Sequence, residues 1–219
     1  MWTALLSKEL RECGLVAGLA LLVQIHLLSE GMGLPLVSVM SYGRQNEIPF
    51  LGSGRDTSFL IVAIVLAAVL GLQQTVWESW RQTTLLLLHR PWPRSRIFLG
   101  KLAAGGLLLL AVCAVPLLVY SLWAATPGTH ASPFAWSMTE PWWRAVVAAG
   151  VCYLGAFLTG LRPARWLGSR TWPLLTAVLL ACLLLYGVTW WPLAYAGLVA
   201  LAGWYVASIL ETARLREYP

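Results

Sequence analysis

Six stretches of this chain, at about 13 to 32, 57 to 77, 97 to 123, 143 to 161, 172 to 189 and 191 to 210, are long, apolar and almost free of charge. At about 1.5 Å per residue, an α-helix needs about 20 residues to cross a 30 Å hydrocarbon layer, and each stretch has close to that number. In lipid, a segment must satisfy its own backbone N–H and C=O groups, which a helix does internally. The expected fold is therefore all-α: a polytopic membrane protein with six transmembrane helices. Composition excludes the alternatives. The chain is 59% apolar and 11% charged, whereas a soluble domain carries about 25% charge. Such sparse charge and high apolar content also exclude a disordered polymer. With 219 residues in all, the spans leave no room for a soluble catalytic domain.

The last two stretches form one 39-residue apolar block, interrupted by Gly187 and by Trp190-Trp191-Pro192. A tight hairpin of two helices fits this pattern better than one overlong helix. Residues 1–12 read as an amphipathic helix on the membrane surface. Trp2, Leu5, Leu6 and Leu10 share an arc, although Glu9 falls inside it and Glu12 at its margin. This start does not resemble a cleavable signal, since Lys8, Glu9, Arg11 and Glu12 follow the first apolar residues and no A-x-A site follows the next run. The transmembrane domain covers 13–210, and 211–219 forms a tail. Cys13, Cys113, Cys152 and Cys182 lie in or beside apolar runs with no C-x-x-C pair, so they read as small buried hydrophobes.

Six spans place both termini on one side, and the excess of basic residues selects the cytoplasm. Lys8, Arg11, Arg81, Arg90, Arg94, Arg96, Lys101, Arg162, Arg165, Arg170, Arg214 and Arg216 are then inside; Arg44, Arg55 and Arg144 are outside. Twelve basic and five acidic residues give +7 inside, and three basic and four acidic give −1 outside, matching the overall +6. The basic balance is thus an orientation signal and requires no nucleic acid. Ten of the thirteen tryptophans sit at predicted span ends, as amphipathic indoles prefer, and only Trp204 lies well inside a span.

The most distinctive passage is the inner connection between the second and third spans, ESWRQTTLLLLHRPWPRSRIFLGK (78–101). A charged opening leads to a short apolar helix, Thr83 to Leu88, which Pro91 stops. Pro93 then suits the first turn of a second helix, so two helices should meet at an angle along the membrane surface. The order Glu78, Thr83, the Leu run, Arg90-Pro91, Arg94, Arg96, Ile97, Leu99, Gly100, Lys101 resembles the segment between the second and third spans of ABC transporter type-2 permeases. Lys8-Glu9-Leu10-Arg11 is similar to the amphipathic elbow helix before that family's first span. Gln82 departs from the family's usual Gly and Pro93 from its usual Ser. The short link between the fifth and sixth spans leaves little room for the re-entrant helices of many such exporters.

The resemblance implies a permease subunit of an ATP-binding cassette exporter. It would form the translocation path with a second permease subunit, as a homodimer or heterodimer, above two cytoplasmic ATPase subunits that bind ATP and Mg. The 78–96 segment would be the coupling element, with Glu78, Arg81, Thr83, Leu86, Arg90, Pro91, Arg94 and Arg96 as contact or anchoring residues. The chain would be no enzyme and bind no cofactor itself. Gly100-Lys101 lacks the first Gly and the Ser or Thr of a phosphate-binding loop, their places being held by Ser95 and Leu102. The membrane would be a prokaryotic cytoplasmic (inner) membrane. A plain basic loop obeying the charge rule would account for the arginines of 78–101, but not for the leucine helix, the proline break and the Gly-Lys at this spacing.

Gln24, His26, Gln73 and Gln74 are the polar candidates for a translocation path. For the glutamines, hydrogen bonding between helices is the favoured role. His26 and Glu30, four apart, read best as an interfacial pair near a helix end. Arg162, Arg165 and Arg170 form a basic inner loop whose favoured role is orientation. There is no H-E-x-x-H motif or His/Cys cluster for a metal. A non-transporting membrane scaffold or maturation factor is the alternative. A lipid-modifying membrane enzyme fits less well, because no catalytic grouping is present.

Overall fold

The computed structural model describes residues 2–33, 48–51, 55–77, 94–130, 133–162 and 169–215. Among these there are only helices and short connections. The helices are α1 (Trp2–Gly31), α2 (Arg55–Leu72), which continues into a π-helical turn (Gln73–Trp77), α3 (Arg94–Ala125), α4 (Glu140–Leu161), α5 (Trp172–Gly187) and α6 (Trp191–Leu215). A 3₁₀ turn, Trp136–Thr139, leads into α4. Among the described residues five helical segments are long and apolar enough to cross a membrane, and α5, with 16 residues, is shorter. Its length of about 24 Å falls a little below the hydrocarbon thickness.

The helix boundaries have local causes. Pro141 and Pro173 stand in the first turns of α4 and α5, where a missing N–H costs nothing. Val188 takes an extended conformation after Gly187 and opens the hairpin into α6. Pro116 lies inside α3, which runs through it. No boundary falls at residue 12: Trp2–Gly31 is one helix of 30 residues, and the segment expected as a separate surface helix forms its first turns. Packing accounts for this continuity, since Glu9 and Cys13, either side of residue 12, are both buried.

The helices alternate up and down. Glu9 meets Lys101 and Gly31 lies against Tyr120, so α1 and α3 run parallel. Phe59 packs on Trp142 at 5.0 Å and Gly71 lies against Ala156, so α2 and α4 run parallel as well. The α5–α6 hairpin closes through Gly197 against Leu184, with Tyr205 hydrogen-bonded to Pro173 O at 3.1 Å. Hence α1 begins and α6 finishes at the same end of the bundle. At the opposite end Phe50 is held with φ +67° against Tyr120, Trp142 and Phe134, at ring separations of 4.6, 5.5 and 6.0 Å. A bulky residue at positive φ is strained, and three aromatic neighbours offset that cost.

α4 is the hub, contacting α2, α5 and α6 most extensively, while α1 pairs with α3. The outward faces carry Leu15, Leu19, Leu22, Leu107, Leu179 and Val199, each more than half exposed. Large aliphatic side chains around several helices form a surface suited to lipid and unsuited to water. The protein is therefore an integral membrane protein of the helical kind.

Candidate functional site

At the end of the bundle where α1 and α3 begin and α2 finishes, four polar side chains are buried together. Glu9 of α1, Gln74 of the π turn, Lys101 of α3 and Tyr153 of α4 are each about 2% exposed. Gln74 is at the centre. Its Nε2 donates to Glu9 Oε2 at 2.8 Å and to Lys101 O at 3.2 Å. Its Oε1 accepts from the Tyr153 hydroxyl at 2.6 Å. Lys101 Nζ donates to Gln74 O at 3.3 Å and stands 3.7 Å from Glu9 Oε1. Lys8, on the rim, lies 3.8 Å from both Glu9 and Glu12. Buried groups of opposite charge thus compensate one another: the Gln74 amide hydrogen-bonds Glu9 Oε2, and Glu9 Oε1 faces the ammonium groups of Lys101 and Lys8 at 3.7 and 3.8 Å.

Backbone geometry makes this arrangement possible. In a π turn the N–H reaches back five residues instead of four. The Thr75 hydroxyl also donates back to Gly71 O at 2.8 Å, four residues earlier. Gln73 turns toward α1 and donates from Nε2 to Glu12 O at 2.8 Å. Glycine is required where α3 passes the knot, because a Cβ at Gly105 would run into the Tyr153 hydroxyl and Gln74 Oε1. Glycine is equally required at Gly160, where a Cβ would fall on Thr75 Oγ1. Just beyond, Arg170 caps the last carbonyls of α4, Thr159 O at 3.2 Å and Gly160 O at 3.1 Å.

The expected site residues do not fall in one place. Glu78, Arg81, Thr83, Leu86, Arg90 and Pro91, together with the expected short helix around them, lie outside the described residues. Arg94 opens α3, three residues before the start expected for the third span, and Arg96 is exposed in its first turn. Of the polar path candidates, Gln73 and Gln74 are brought together in the knot region. Gln24 is elsewhere on α1, fully buried, and its amide meets no hydrogen-bond partner among the described residues. His26 Nε2 stands 3.5 Å from Glu30 Oε1, both side chains a little over a third exposed.

Glu9, Lys101 and Tyr153 were not among the site residues read from sequence. For Glu9 and Lys101 the signal was present: a carboxylate inside an apolar arc and a lysine inside an apolar span, each an expensive residue at its position. Tyr153 carried none, since a tyrosine in a span is ordinary. No protein-family model, curated protein or solved structure matches this chain.

Proposed function

We propose that this protein is the membrane subunit of an ATP-driven exporter, coupled through residues 78–96 to a separate cytoplasmic ATPase. One observation supports the reading above the others. The knot grips both flanks of the connection: Gln74 stands four residues before Glu78, and Lys101 five residues after Arg96. Through Glu9 and Tyr153 the same knot holds α1 and α4. Force applied to the connection is therefore delivered to four helices at once, as a coupling element requires.

In this reading both termini are cytoplasmic, which places the knot and the basic residues on the side where the ATPase resides. The first turns of α1 take the part of the elbow helix. Two permease subunits, of one kind or two, enclose the path above two ATPase chains, which bind ATP and Mg; the setting is a prokaryotic inner membrane. Glu78, Arg81, Arg90, Arg94 and Arg96 supply charged contacts or anchors, and the leucine run containing Leu86 is the apolar ridge that enters the ATPase.

Gentle extraction from the native membrane tests the proposal. The wild-type protein should carry an ATPase chain through purification, and Leu86→Asp should lose it while still inserting at the wild-type level. A wild-type preparation with no ATPase under those conditions would refute the reading and leave the scaffold or maturation factor in its place.

A further inference from the structure

We propose that the π turn Gln73–Trp77 is a two-position joint. Held by Gln74 in the knot, it keeps its extra residue. When Gln74 is released it winds into α-helix, turning Val76 and Trp77 about the helix axis by about one residue position, roughly 100°.

A π turn holds one residue more than the α turn it replaces, so it stores length that rewinding returns. The hydrogen bonding that occupies it here is specific. Gln74 spends its amide on Glu9 Oε2, Lys101 O and the Tyr153 hydroxyl, and Gln73 reaches Glu12 O. Contacts with α1, α3 and α4 therefore hold the turn in a geometry that an isolated helix would not keep.

Rotation is confined to one side of the joint. The body of α2 is fixed to α4 where Gly71 admits Ala156, Phe157 N and Tyr153 O to within 2.7 Å of the position a Cβ would take. The turning therefore falls on Val76 and Trp77, the last described residues before the connection 78–93. The joint thus supplies the moving part that the exporter reading needs. Its test reads the turn alone, so failure of this inference is distinguishable from failure of that reading.

Adjacent residues report the state. Val76 is 8% exposed and Trp77 44%. Winding the turn into α-helix advances each later residue toward its successor's angular place, so position 76 would take up the exposed place of 77. The test uses single cysteines, Val76→Cys or Trp77→Cys, in a Cys182→Ala background whose other three cysteines are buried, treated with a membrane-permeant maleimide in native membranes. With Gln74 intact, position 77 should label and position 76 should not. With Gln74→Leu, labelling at 76 should rise to the level first seen at 77. A folded Gln74→Leu protein with the original labelling pattern would overturn the joint.

If Gln74→Leu does not accumulate, deletions decide. Removing Gln73 should be tolerated, with 77 still labelled and 76 protected, because an α turn then spans the same arc with one residue fewer. Removing Leu66 from the α-helical body, which has no spare residue, should abolish accumulation. Equal damage from the two deletions would overturn the proposal.

Discussion

Glu9 and Lys101 stand 3.7 Å apart with side chains 2% and 3% exposed, so neither charge can be shielded by water. Removing one member of a buried pair leaves the other uncompensated, at a cost of about 3–5 kcal/mol, whereas replacing both by apolar groups of similar size is often nearly neutral. Glu9→Leu and Lys101→Met should each destabilise the protein, Lys101→Met by less than that figure because Lys8 also stands 3.8 Å from Glu9, and the double variant should recover most of the loss, as measured by denaturant titration in detergent micelles. Additive losses would show that the two charges do not act as a pair. The position of Glu9 inside the apolar arc of the first turns was visible in the sequence as a contradiction. It could not be resolved there, because Gln74, which takes up Oε2, lies 65 residues away along the chain. Gln24 poses the converse case: a polar residue apparent in the apolar run, whose buried amide meets no hydrogen-bond partner among the described residues.

At the scale of elements, hydropathy located the helices closely. The expected spans at 57 to 77, 143 to 161 and 172 to 189 correspond to helical segments Arg55–Trp77, Trp136–Leu161 and Trp172–Gly187. Spacing along the chain could not show that residues 73–77 leave the α-helical path, since Gln-Gln-Thr-Val-Trp suits an α-helical turn as well as a π turn. Nor could small-residue spacing tell a close contact from open space. Gly14 and Gly18 form a G-x-x-x-G pair, yet a Cβ at either would meet nothing within 4 Å, whereas Gly71 lies directly on α4. Gly71→Ala should therefore force α2 from backbone atoms of α4 that cannot yield and cost about 1–3 kcal/mol, the usual range for overpacking. Gly14→Ala should be neutral or slightly stabilising, since alanine is the better helix former by about 1 kcal/mol. Thermal unfolding of the two variants in the same detergent compares them, and equal effects would show that the α2–α4 contact is not tight.

For the whole molecule, the balance of +7 against −1 predicts which way the bundle faces. A reporter fused after Leu215 should read the cytoplasm and one inserted at Gly128 the opposite side, and the reverse pattern would overturn the assigned orientation. Sequence alone determined the class of molecule and the approximate position of its apolar helices. It could do so because burial of about 20 apolar residues in lipid is a local property, set by each segment and its solvent. Tertiary structure alone decided that α4 is the hub, that residues 2–31 form one helix, and that Glu9, Gln74, Lys101 and Tyr153 share a site. Those outcomes depend on which side chains from distant segments compensate one another once water is gone, and no window along the chain contains both partners.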